Sequence, residues 1–266
     1  MCSSDLGATA DIAVRVNRAS TTLPGTHAMT GAPTPFGVDE DQLPDVLALA
    51  AAMPDIRVRG FHLHAVSNNL DATAHAAFVA DAVTWSVATA ARHGIDLRVI
   101  NVGGGLGVDY RTDATIDLAA LRAGLAGAGV PDGVELVFEP GRILAADAGW
   151  YAAEVLDLKR THGRTFAVLR GGTHHFRLPA AWGYSHPFTV LPVDEWPDDL
   201  PRPEVTGTEV DAVGELCTPR DVLTRGQWVD RLRAGDLLVF GRTGAYGWDI
   251  SHHQFLRHPP PDFAIV

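Results

Sequence analysis

Before residue 147, four short β-rich apolar segments alternate with helix-patterned segments, and this alternation restricts the possible fold more than any other feature. Residues 12–16 alternate with the period of a half-buried strand, and residues 17–35, dense in Thr, Pro, Gly and Ser, read as a long irregular loop. Residues 39–53 place acidic side chains in a first turn and Leu43, Val46, Leu47 and Leu49 at helical spacing, closing before Pro54. Residues 58–65 form a second strand. An Ala-rich helix over 72–93 is stopped by Gly94, and a third strand over 97–102 runs into three glycines. A helix over 116–126 and a strand over 134–138 complete the series. Strands separated by helices indicate parallel βα units rather than hairpins.

After Trp150 the texture changes. Segments 152–158, 165–169, 204–213 and 236–240 are short, alternating and bounded by Pro, Gly and Asp turns, which predicts antiparallel pairing. The expected organisation is a partial TIM-type α/β barrel over 1–147 followed by a mostly antiparallel β-domain over 148–266. A complete eightfold barrel takes about 250 residues by itself. The N-terminal barrel strands are therefore expected to be missing, since four strands alone leave apolar edges and helix faces uncovered. Residues 2–6 (CSSDL) look foreign to any fold, which reads equally as the junction of a gene fragment or as a natural frayed N-terminus, so whether Met1 is the natural start stays open.

The charge balance removes whole classes of partner. A formal net charge of -11 leaves no basic surface to hold a nucleic acid or an anionic membrane. No apolar run approaches the roughly 18 residues of a membrane span, and the N-terminus lacks the basic start and apolar stretch of a secretory signal. Two cysteines, Cys2 and Cys217, are too few and too distant for a disulfide framework. A cytoplasmic protein with a free Cys217 thiol and a small-molecule partner is the expectation.

Parallel α/β architectures bind ligands beyond the C-terminal ends of their strands. Here those ends carry Asn17-Arg18, then His62 to Ser67, then Gly103-Gly104-Gly105, then Glu139-Pro140-Gly141-Arg142. Glycines without Cβ atoms let backbone N–H groups approach a phosphate, although such a run alone marks a tight turn equally well. Its spacing does not fit a dinucleotide fingerprint. Glu139 and Arg142 place a carboxylate and a guanidinium across one turn, suited to opposite ends of a small molecule or simply to each other. His62 and His64 share a strand face, where an imidazole can stack on a flat ring. Zinc is disfavoured there because no further ligand stands at recognisable spacing, so no metal is expected.

Residues 58–67 (VRGFHLHAVS), 100–105 (INVGGG), 138–149 (FEPGRILAADAG), 214–223 (GELCTPRDVL), 233–236 (RAGD) and 244–246 (GAY) resemble, in order, the motifs of the ornithine/diaminopimelate decarboxylase family, pyridoxal-phosphate enzymes with an alanine-racemase-like barrel. Phe36-Gly37-Val38 is similar to a further segment of that family, with Pro35 in place of its lysine. The resemblance implies that His64 stacks on the pyridine ring, that Ser67, Gly103, Gly104, Gly105, Gly141, Arg142 and Tyr246 serve the cofactor and chiefly its phosphate, and that Glu139 meets the ring nitrogen. It also implies a homodimer with the active site at the interface, where Cys217 enters from the partner subunit and protonates the substrate α-carbon as carbon dioxide leaves. An inert buried thiol and a packing tyrosine are the plainer readings of Cys217 and Tyr246.

The pattern breaks in informative places. The family's Schiff-base lysine belongs to an earlier barrel strand, and Lys159, the only lysine in the chain, falls in the β-rich part. This chain alone is therefore expected to bind the cofactor weakly and turn over little or nothing. Thr218 follows Cys217 where relatives acting on diamino substrates carry an acid, Val66 replaces a glycine, and Arg170 replaces an aspartate. Arg177, in GGTHHFR, then suits an extra substrate carboxylate. That stretch resembles decarboxylases of siderophore or secondary-metabolite pathways, which act on a conjugated amino acid. A non-catalytic pseudoenzyme that binds a partner and an amino-acid racemase on the same barrel remain open.

Overall fold

In a computed structural model, which describes residues 7–19, 23–112, 114–197 and 199–265, the chain divides into two compact units. The first is Met1–Asp109 with Ala114–Ile143, and the second is Tyr110–Asp113 with Leu144–Val266. The CSSDL stretch lies outside the described residues.

The first unit contains, in chain order, β1 (Ala10–Asn17), β2 (His27–Ala28), β3 (Val38–Asp39), α1 (Leu43–Ala51), β4 (Ile56–His62), β5 (Val66–Ser67), α2 (Ala72–His93), β6 (Val99–Asn101), α3 (Leu118–Leu125) and β7 (Glu135–Val137). Five strands form one sheet in the order β3-β1-β4-β6-β7, every pair parallel. β2, within the stretch expected to be irregular, pairs separately and antiparallel with β5. Val14, Val16, Phe61, Leu63, Ile100 and Val102 pack against Phe78, Val79, Ala82 and Val83 of α2. Complete burial of a side chain such as Phe61 contributes about 1.5–3 kcal/mol.

Local chemistry sets the boundaries. The Asp71 carboxylate caps α2 by accepting the Ala74 N–H at 2.9 Å, and Gly94 ends the helix in the left-handed region at φ 67°. Ahead of α1 a 3-10 turn occupies Glu40–Gln42, so the α-helix begins later than its acidic residues suggest, with Pro44 in its first turn. Gly60 is obligatory within β4, because a Cβ there would overlap the Val99 carbonyl of the next strand. No helix among the described residues is long and apolar enough to cross a membrane.

A short helix α4 (Arg142–Ala145) leads into the second unit, which holds β8 (Tyr151–Thr161), β9 (Arg164–Leu169), α5 (Leu178–Trp182), β10 (Thr189–Leu191), β11 (Glu204–Val213), β12 (Val222–Arg233) and β13 (Leu237–Phe240). Its sheet runs β10-β13-β8-β9-β11-β12, antiparallel throughout except between β9 and β11. A parallel α/β sheet and a separate, mostly antiparallel β unit are the architecture the sequence predicts.

Candidate active site

Adjacent parallel strands converge their C-terminal ends on a small set of polar groups in the first unit. β4 delivers His62 and, just beyond, His64; their ring centroids lie 6.4 Å apart, so both project to the same side. β6 delivers Asn101 and the glycines, and β7 leads to Glu139. The Asn101 side-chain amide donates to Glu139 Oε1 at 2.8 Å, and its Oδ1 accepts the Gly103 N–H at 2.8 Å. The Gly104 N–H donates to His64 Nδ1 at 3.2 Å, and the Glu139 N–H to the Gly103 carbonyl at 2.7 Å. Arg142, 5% exposed, opens α4 one turn further on.

The glycines are required by this closeness. Gly103 (φ 70°) and Gly105 (φ 93°) occupy the left-handed region. A Cβ on Gly103 would overlap the His64 ring, one on Gly104 would overlap the Glu139 carbonyl, and one on Gly105 would meet the Val66 carbonyl at 2.5 Å. Two of the three glycine amides therefore serve side chains, Asn101 and His64, in contrast to the simple phosphate cradle that the sequence suggests.

Burial disfavours the protonated form of both imidazoles. Burial lowers the His62 pKa, opposed by the Glu139 carboxylate; burial also lowers that of His64, reinforced by Arg15 and His62. Arg15, on β1, is itself lowered by burial despite Glu139, and its guanidinium lies over the Phe36 ring at 4.8 Å. Arg15 Nη2 and His62 Nε2 are buried with no hydrogen-bond partner. His62 Nε2 stands 3.8 Å from Glu139 Oε2, too far for a hydrogen bond. A buried polar atom left unbonded costs about 1–3 kcal/mol, so both atoms suit a site completed by a polar ligand. The crowded glycine floor, neutral His64, oriented Glu139 and buried Arg142 fit a phosphorylated pyridine. Sequence reasoning missed Arg15 and Asn101; a charged residue between buried Val14 and Val16, and an amide closing a strand just ahead of three glycines, were the available signals.

Ser67 ends β5, its carbonyl accepting the Thr26 N–H at 2.9 Å, and Gly141 is exposed. The remaining predicted residues lie on the second unit. Cys217 is a free, exposed thiol, not an inert buried one. Its loop is shaped by Asp221, 2% exposed, whose carboxylate accepts the Thr173 N–H at 2.6 Å and the Leu216 N–H at 2.9 Å. Gly172 and Gly214 are glycines for that reason, because a Cβ on Gly214 would overlap the carboxylate and one on Gly172 would stand 2.5 Å from it. Thr218 follows, half-buried, its N–H donating to the Leu216 carbonyl. Arg177 caps α5, its side chain exposed. Tyr246 has a left-handed backbone (φ 57°), with its ring 5.5 Å from that of Trp182. Arg170 pairs with Glu154 at 2.7 Å, and Lys159 is exposed on β8.

A parallel α/β sheet whose strand ends gather two imidazoles, a glycine turn, an oriented carboxylate and a buried arginine, together with a separate, mostly antiparallel β unit, has the architecture of the alanine-racemase-like class. Residues 4–146 match the family described as pyridoxal-dependent decarboxylase, pyridoxal binding domain. The chain belongs to this pyridoxal-dependent decarboxylase family, whose cofactor is pyridoxal 5'-phosphate. It is 41% identical, over 97% of its length and 66% of the relative's, to 2-((L-alanin-3-ylcarbamoyl)methyl)-2-hydroxybutanedioate decarboxylase of Staphylococcus aureus. It is 32% identical, over 95% of its length and 60% of the relative's, to a Niallia circulans decarboxylase named for an L-glutamyl group on an acyl-carrier protein. Diaminopimelate decarboxylase of Helicobacter pylori, solved with L-lysine, superposes with a TM-score of 0.78 at 25% identity, covering 98% of this chain and 64% of that one. The chain thus spans less than two-thirds of the length of these relatives.

Proposed function

We propose that this chain carries most of the cofactor and substrate apparatus of a decarboxylase acting on an amino acid or amino-acid conjugate rich in carboxylates. The observation that carries the reading is the Asn101-oriented Glu139 beside neutral His64, at strand ends floored by glycine. When bound, pyridoxal phosphate supplies the electron sink that lets a carboxylate depart. Glu139 would hold the proton on the pyridine nitrogen, His64 would support the ring face, and Arg142 and Ser67 would bind the phosphate, over a floor kept open by the glycines. Cys217 Sγ–H, on an exposed loop, donates the proton that replaces carbon dioxide in a homodimer whose partner supplies that loop. Arg177 grips a distal carboxylate, a role supported by the hydroxybutanedioate substrate in the name of the 41% identical relative. A cytoplasmic location agrees with such metabolism.

The 266 residues alone are proposed not to turn over, because their only lysine, Lys159, is exposed on β8 and has the setting of a solvated surface residue. The test compares the chain alone with the chain fused to a lysine-bearing barrel segment of a relative, each supplied with pyridoxal phosphate. Carbon dioxide release from polycarboxylate amino acids by the fusion, and not by the chain alone, is expected. Cofactor binding by the fusion without carbon dioxide from any candidate would favour the racemase or the binding protein.

A further inference from the structure

Three residues distant in sequence meet in the second unit. His174 follows the Gly171-Gly172 turn, Glu215 lies on the Cys217 loop, and His258 lies near the end of the described chain. His174 Nε2 is 3.9 Å from Glu215 Oε1, and His258 Nδ1 is 3.7 Å from the same oxygen. One donor atom from each residue falls within 4.8 Å of the other two. These separations are too long for hydrogen bonds, so the cluster is not an imidazole-carboxylate network.

His174 is the decisive member. It is 1% exposed, and neither ring nitrogen has a hydrogen-bond partner. Buried polar side chains almost always find partners, and an imidazole left doubly unbonded marks a site that another species completes. Its surroundings are built rather than incidental. The Gly171 N–H donates to Glu215 Oε1 at 2.8 Å and fixes the carboxylate. Tyr151, whose pKa burial raises, keeps its proton and donates to His175 Nδ1 at 3.2 Å; His175 Nε2–H then donates to the Pro259 carbonyl at 2.8 Å, holding the segment that carries His258. Backbone and outer-shell bonds of this kind orient ligands in known metal centres.

We propose that His174, Glu215 and His258 form a binding site for a divalent transition-metal ion of the Zn2+ type, with a fourth position open to water. Two imidazoles and a carboxylate make up a three-ligand set found in open zinc sites, and nitrogen donors select such ions over Mg2+ or Ca2+. Donors about 2.0–2.1 Å from a tetrahedral ion lie about 3.3 Å from one another, so binding shortens each of the two imidazole–carboxylate separations by roughly half an ångström. Glu215 and His258, with side chains 26% and 28% exposed, leave a path for entry. The inference is independent of the decarboxylase reading.

The test titrates the tag-free, chelator-stripped chain with Zn2+ and with Co2+ as a spectroscopic probe. Expected are one bound equivalent per chain, the visible absorption of tetrahedral Co2+ without thiolate charge-transfer bands, and affinity reduced about tenfold or more in His258→Ala and Glu215→Gln, in line with the loss of a ligand. Circular dichroism of the metal-free variants checks folding. Failure of the wild-type chain to bind one equivalent, unchanged affinity in both folded variants, or thiolate bands that place the ion on a cysteine would each overturn the proposal.

Discussion

Asn101 restrains Glu139 by a single carboxylate oxygen: its amide donates to Oε1 at 2.8 Å, while its own Oδ1 takes the Gly103 N–H. One side chain thereby couples the orientation of an acid to the shape of the glycine turn. Asn101→Ala is expected to weaken pyridoxal-phosphate binding about tenfold, the effect of about 1.4 kcal/mol. Asn101→Asp should weaken it further, because a second carboxylate beside Glu139 opposes its ionisation. Fluorescence-monitored cofactor titration of the lysine-supplemented fusion checks both, and equal affinity in all three proteins would refute the coupling.

Gly104→Ala forces a Cβ onto the Glu139 carbonyl, whereas a Cβ on Gly127 meets nothing within 4 Å. The first substitution is expected to cost roughly 1–3 kcal/mol in denaturant unfolding and to lower cofactor affinity; Gly127→Ala should leave both unchanged. A harmless Gly104→Ala would show that the turn is looser than its contacts imply.

Asp221 satisfies two buried amides with one carboxylate. Asp221→Ala leaves the Thr173 and Leu216 N–H groups unpaired and should destabilise the second unit by roughly 2–5 kcal/mol. Asp221→Asn, which keeps one acceptor oxygen, should cost less. Chemical denaturation followed by tryptophan fluorescence gives the ranking, and Cys217 should react faster with a thiol reagent in the alanine variant.

His186 is 1% exposed and accepts from the Tyr184 hydroxyl at Nδ1 (2.8 Å) while donating from Nε2 to the Gly241 carbonyl (2.8 Å). Burial, only partly offset by the Gly241 bond, lowers its pKa to about 4. Between that value and about 6.5 the unfolded chain binds the extra proton and the folded chain does not, so stability present above pH 6.5 falls as the pH drops, by roughly 3 kcal/mol over the interval. Melting temperature measured from pH 7 to 4.5 should decline, and His186→Gln should flatten the decline. A slope unaltered by that substitution would assign the effect elsewhere.

Legibility in the sequence followed the strength of local signals. Helix α2 was readable to the residue because Asp71, an Ala-rich run and Gly94 all agree on its ends. Strand β12 was not: it ends its sheet, exposes Trp228 and several charged side chains, and contains left-handed Gly226, so its alternation is blurred. His62, His64, the glycines and Glu139 were legible because strand ends focus ligand chemistry, but Arg15 enters the cluster from inside its strand, short of the Asn17-Arg18 end where the sequence directs attention. His174, Glu215 and His258 could not be found by spacing at all, since only the tertiary fold brings them within reach of one ion.

The parallel pairing of β9 with β11 also sets a timetable for assembly. A run of hairpins can zip up as each turn leaves the ribosome, but Thr165 has to wait for Val210, with α5 and β10 emitted in between. Until then the β8–β9 hairpin has both flanks bare, β9 waiting for β11 and β8 for β13, and closing such long loops is entropically slow. The second unit is therefore most vulnerable to misassociation and proteolysis during that interval of synthesis, before β11, β12 and β13 arrive to cover the two flanks.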